Sequence, residues 1–325
     1  MKKLIALVFC IFFLFTSCAK SDSKINIANN GKLNVVATIF PQYDFVRSIA
    51  GDNVNLYMLI PPGSESHTYD PSPADIINIE QCDLFIYAGG SGDHWVETII
   101  ESIQSDTVFI SLMDIIEPLT EQHIEGMQED FFHEHNDDYD NSADDEHNHD
   151  EYDEHVWTSP VNADIICNKI CDILCELDQK NSQIYKSRYD SYSKELMRLD
   201  SDMQNIMKNA KRNTIIFADR FPIRYFTEQY GLEYYAAFPG CASEVEPTPK
   251  TLMFLIDKVK EDNIPVVFYR EFSNKKVANI VCDETNAKML LFHSCHNITA
   301  QEFESGITYI DIMKNNISNI KEALN

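Results

Sequence analysis

Histidine is the residue whose placement in this chain points to chemistry. His133, His135, His147, His149 and His155 fall within or at the end of one stretch crowded with aspartate and glutamate. His67 lies in a turn, Gly63-Ser64-Glu65-Ser66-His67-Thr68-Tyr69-Asp70-Pro71, that leads from a strand end into a helix. His293 follows the last expected strand in Leu291-Phe292-His293-Ser294-Cys295-His296. Neutral imidazoles and carboxylates are the ligands of divalent cations. Ligands in open α/β sheets sit beyond the carboxyl ends of strands. His67, His155 and His293, at three element ends, are therefore expected to converge on one ion. The chain has no His-Glu-x-x-His motif, and no evident base or nucleophile flanks these positions. An enzyme is therefore not expected, and a zinc-dependent hydrolase is the weaker alternative.

The elements that must hold these side chains alternate between strand and helix. Strands are expected at 33–39, 54–60, 84–88 and 108–112, with helices at 41–50, 73–81 and 95–103 between them. A second series has strands at 214–218, 233–238, 266–269 and 289–292, and helices at 223–230, 250–261, 275–285 and 309–324. Alternation of this kind predicts an α/β fold with mainly parallel sheets. Between the series no glycine or proline interrupts residues 161–221. One helix is expected over 164–177, and a second, capped by Asn181, runs to about Lys211. In the second, Tyr185, Tyr189, Tyr192, Leu196, Leu199, Met203 and Ile206 recur at spacings of four and three, an apolar stripe along one side. At ~1.5 Å per residue this helix exceeds ~40 Å and can join two domains. Cys167, Cys171 and Cys175 also share a helix face, but the outer two lie ~12 Å apart along the axis. That is too far for one tetrahedral ion, so they read as small buried apolar residues.

The acidic stretch, 121–154, has too few apolar residues to offset the entropy of ordering it, and it reads as a disordered, functional loop. No lysine or arginine occurs between Arg47 and Lys169, and the formal net charge is -26. Phosphate-rich partners would be repelled, so nucleic acid is excluded and cations are favoured. At the N-terminus, Met1-Lys2-Lys3 precedes an apolar run from Leu4 to Phe15 and then Thr16-Ser17-Cys18. The run is too short to span a bilayer and has the form of a lipoprotein signal. Residues 1–18 are expected to be that signal, with Cys18 lipidated, and 19–31 a tether to the membrane surface. The protein then sits outside the cytoplasm, on a cell surface or in a periplasm. On that oxidising side a Cys241–Cys295 disulfide is the preferred reading; a thiolate metal ligand is the competing one.

With these residues in view, the chain resembles the metal-binding lipoproteins of bacterial ABC importers, the zinc/manganese (cluster A-I) solute-binding family. The most specific motif is His67-Thr68-Tyr69-Asp70-Pro71-Ser72-Pro73-Ala74-Asp75. Next come His155-Val156-Trp157 with Ser159-Pro160 after a His-rich loop, then Arg224-Tyr225-Phe226, Tyr230-Gly231-Leu232 and Glu246-Pro247-Thr248-Pro249. The resemblance implies two α/β domains, 32–178 and 213–325, joined by a long helix at 179–212, with the metal site in the cleft between them. It implies that His67 and His155 are ligands from the first domain. It also implies that the protein is a monomer that delivers its ion to a membrane permease. The family's usual third ligand corresponds to Arg220, whose guanidinium stays protonated and cannot ligate. Arg220 is expected to pair with Glu244 or Glu246 instead. The usual aspartate after the last strand corresponds best to His293. The fourth ligand is open among Asp219, Glu244, Cys295, His296 and water. Three imidazoles suit Zn2+ better than manganese. A Mn2+ or Fe2+ binder of the same family and a zinc-stabilised surface adhesin are the remaining alternatives.

Overall fold

The structure, a computed structural model, describes residues 27–65, 69–127, 152–240 and 246–325. Cys18, His67, His133, His135, His147, His149, Cys241 and Glu244 lie outside the described residues.

The first lobe contains β1 (Leu33–Ala37), α1 (Phe40–Ala50), β2 (Val54–Met58), α2 (Pro73–Gln81), β3 (Leu84–Tyr87), α3 (His94–Ser102) and β4 (Val108–Ser111). Its four strands are all parallel, in the order β2-β1-β3-β4. Two helices follow, α4 (Pro160–Leu177) and α5 (Ser182–Asn209). The second lobe runs β5 (Thr214–Arg220), α6 (Arg224–Tyr230), β6 (Glu233–Phe238), α7 (Pro249–Glu261), β7 (Val266–Tyr269), α8 (Lys276–Thr285) and β8 (Lys288–Leu291). Its strands are again parallel, in the order β6-β5-β7-β8, and α9 (Ala300–Ser305) and α10 (Tyr309–Leu324) close the chain. Strand–helix alternation forces this outcome, since parallel neighbours need a crossover between them.

The helix boundaries follow local chemistry. Ser72 and Asp75 cap α2 reciprocally, and Tyr69 Oη donates to the same Asp75 carboxylate at 2.9 Å. Much of the segment after His67 is thus spent on fixing a turn. Ser159 caps α4, with Pro160 in its first turn, so this helix starts four residues before the expected position. Asn181 does not cap α5: its side chain donates to Asp178 at 2.7 Å, and a short 3-10 turn, Gln179–Asn181, leads in. Gly231 ends α6 in the left-handed conformation, φ 65°. The short helix α9, capped by Thr299 and Glu302, was not expected from the sequence.

The 28-residue α5 is about 42 Å long. Tyr185, Tyr192, Leu196, Leu199 and Met203 are buried, and Tyr189 and Ile206 are partly so. These side chains belong to one continuous apolar core. It includes Phe45 and Trp157 from the first half and Phe217, Phe226, Phe268, Phe292 and Tyr309 from the second. Each such burial contributes about 1.5–3 kcal/mol. Cys167 and Cys171 are buried in the same core as free thiols, as the apolar reading of that face requires.

Candidate metal centre

The chain is described to residue 127 and again from 152, where Tyr152 forms an antiparallel bridge with Thr120. Asp153 N–H then donates to Leu119 O at 2.9 Å, and Tyr225 Oη donates to Asp153 O at 2.7 Å. His155 therefore enters from a pinned position. Asp153 Oδ1 accepts from His155 N–H at 2.8 Å and lies 3.0 Å from Nδ1. A proton held on Nδ1 leaves the lone pair on Nε2, the form in which an imidazole ligates. Burial lowers the affinity of His155 for a proton, but the charges of Asp153, Glu154 and Glu121 outweigh it, so its pKa is raised.

Glu154 is 1 % exposed. Burial pushes its carboxyl up to about 7, against the opposing pull of His155 and of Gly92 N–H, which donates to Oε2 at 2.8 Å. The glycine turn makes this approach possible. A Cβ at Gly90, where φ is 78°, would lie 2.9 Å from the Glu154 Cβ, and one at Gly92 would lie 2.6 Å from Oε1.

The loop after β8 supplies the facing group, but not through the expected residue. Asn316 holds His293 by its backbone, accepting from N–H at 2.9 Å and donating to the carbonyl at 2.8 Å. The His293 ring turns inward: Nδ1 accepts from Cys295 N–H at 3.0 Å, and the buried Nε2 has no hydrogen-bond partner. Cys295 then adopts a left-handed φ of 64°, which redirects the chain. His296 consequently reaches the cleft. Its ring centroid lies 5.2 Å from that of His155 and 5.3 Å from that of Trp157. Trp157 Nε1 donates to Ser294 O at 2.9 Å and Tyr309 Oη donates to Trp157 O at 2.7 Å, so both lobes brace the pair.

Among the described residues, Glu154, His155 and His296 bring ligand atoms within 4.8 Å of one another. His293 is outside this group. The space beside it, lined by Ser64, Glu65, His155, Arg220, Glu271 and His296 among others, is about 20 Å³. That suffices for one ion or water and excludes an organic ligand. The ends of β2, β5, β6, β7 and β8 all feed this point. A larger hollow of about 340 Å³ lies alongside, and Asp219 lines it rather than the small one. Asp219 accepts from Arg220 N–H at 2.9 Å and lies 3.4 Å from Arg270 Nε.

Two further expectations change. Arg220 pairs with Glu65 at 3.2 Å and Glu246 with Lys276 at 2.5 Å, while the Glu244 alternative lies outside the described residues. Cys295 is a free, fully buried cysteine whose thiol is pushed well up by burial, so a thiolate ligand there is disfavoured. Sequence reasoning gave Glu154 no ligand role. Its signal was the glycine turn at 89–92, where Gly90 and Gly92 leave room for the Glu154 side chain.

Two parallel α/β lobes around an ion-sized pocket lined by imidazole and carboxylate define a metal-binding solute receptor. The chain belongs to the ZnuA family, zinc-uptake complex component A, periplasmic, which matches residues 35–323. It is 30% identical over 318 residues to the high-affinity zinc uptake system protein ZnuA of Bacillus subtilis, covering 96% of this chain and 94% of that one. It is 26% identical over 325 residues to the zinc-binding lipoprotein AdcA of Streptococcus pneumoniae, covering 99% of this chain but 61% of AdcA. The crystal structure of the metal-dependent lipoprotein YcdH from Bacillus subtilis superposes with a TM-score of 0.74. The two are 27% identical, and the match covers 90% of this chain and all of that one.

Proposed function

We propose that this protein captures Zn2+ outside the cytoplasmic membrane and delivers it to the permease of an ABC importer. The observation that carries this reading is the close approach of His155, His296 and Glu154 to one another, beside an ion-sized space that the two histidines line. Two imidazoles and a carboxylate suit zinc. His67, which follows Glu65 closely in sequence, is proposed as a further donor. His296 takes the place of His293 in this set, because it is the His296 ring that approaches His155 and Glu154. Asp153 orients the His155 ring.

The names of the relatives support zinc as the cargo and a lipid anchor as the attachment, here through Cys18. Among the described residues no helix is long and apolar enough to cross a membrane. The histidines of the 121–154 loop are proposed as weaker auxiliary sites, and the working unit is proposed to be a monomer. Titration of the mature protein with zinc in a calorimeter is expected to give one tight site followed by weak ones. Deleting residues 134–151, which spares Tyr152 and Asp153, should remove only the weak sites. X-ray absorption at the zinc edge should report imidazole nitrogen and carboxylate oxygen. Tight manganese binding with no tight zinc site would overturn the assignment.

A further inference from the structure

Resting on the zinc reading above, we propose that Glu65 is a positioning residue that governs how fast the ion leaves. The residues 61–65 form the first lobe's rim of the ion pocket, where Ser64 and Glu65 are part of the lining. The second lobe grips this rim at two points. At its base, Asn297, the neighbour of His296, donates through Nδ2 to Pro61 O at 2.9 Å and to Ser64 O at 2.8 Å, and Gly63 N–H donates to Ile298 O at 2.7 Å. At its tip, Glu65 Oε2 lies 3.2 Å from Arg220 Nη2 and 3.5 Å from Arg270 Nη2.

The two guanidiniums come from different strand ends, Arg220 closing β5 and Arg270 just after β7, and their side chains are 8% and 11% exposed. The carboxylate between them is 27% exposed, so water reaches the fork from one side. The base contacts are backbone-directed and keep the rim attached. The tip contact is the one that charge and salt can loosen. Glu65 is not among the clustered ligand atoms, so its loss leaves the donor set in place. Ion pairs between partly buried groups act chiefly on dissociation rather than association. Arg220 thereby has a role that a metal-ligand position would not suggest: it holds the rim instead of the ion.

The test is stopped-flow release of zinc from the loaded, mature protein to an excess of a chromophoric chelator. Glu65→Gln is expected to release about tenfold faster, with the zinc stoichiometry and the apo melting temperature unchanged. Arg220→Lys should fall between that variant and the unmodified protein, since a lysine cannot form the fork. Raising salt should hasten release from the unmodified protein and leave Glu65→Gln unaffected. A variant that releases at the unmodified rate overturns the proposal. So does one that loses tight binding, because Glu65 would then be a donor. If the variants fail to fold, salt-independent release from the unmodified protein is enough to overturn it. Failure of the unmodified protein to bind zinc tightly removes the zinc reading itself.

Discussion

The two lobes share one strand order and one parallel sense, β2-β1-β3-β4 in the first and β6-β5-β7-β8 in the second. Their chemistry is opposite. The whole of residues 48–168 lacks lysine and arginine, and from this region come Glu154 and His155. The second lobe brings Arg220 and Arg270 to the same cleft, with His296 beside them. The architecture decides only where strand ends meet. What they present is decided in loops of a few residues, where a left-handed Cys295 or a glycine turn redirects one side chain.

That contrast can be broken at several points. If both lobes hold the ion, His155→Ala and His296→Ala should each weaken zinc binding by more than about a hundredfold, the effect usual for groups that merely orient a ligand. Calorimetry that finds only one of them important would leave the ion in a single lobe. The helix that joins the lobes offers the next largest effect. Leu196 is fully buried in the shared core, and Leu196→Ala should cost about 2–5 kcal/mol in chemical denaturation, with one cooperative transition. Two separate transitions would show that the lobes melt independently.

Asp153→Asn keeps the shape of the first lobe's contribution and removes the charge that orients His155. Zinc affinity should fall by about 10–100-fold while the fold is retained. The smallest effect concerns Asp93, whose carboxyl is pushed up to about 6 by burial despite N–H donors from Ala88 and Gly89. The folded protein therefore holds this proton more tightly than the unfolded chain. The resulting stabilisation is present at low pH and is lost as pH rises through about 6. Asp93→Asn should remove this slope from the pH dependence of apo-protein stability.

Much of the frame was legible in the sequence because it rests on period and punctuation. The stripe from Tyr185 to Ile206 announces a long helix whatever packs against it, and Gly231 and Pro249 mark ends that the structure keeps. The site was less legible because it depends on side-chain direction. His293 and His296 are three residues apart, and only the turn at Cys295 decides which faces the cleft. Asn181 has the composition of a cap, yet Asp178 takes its side chain. Glu154 looked like one more acid in an acidic stretch until the Gly90–Gly92 turn was seen closed around it. Arg220 was recognised as a non-ligand from its charge alone, but its partner across the cleft is distant in sequence and left no local trace.

The Thr120–Tyr152 bridge has a practical reach beyond this cation. It ties Thr120 to Tyr152 ahead of Asp153, Glu154 and His155, so the binding groups need not register what is spliced between those two positions. Loop-closure entropy grows only slowly with length. A fluorescent reporter or an affinity module placed between them should ride on the receptor without disturbing capture, making this junction a natural port for building a zinc sensor.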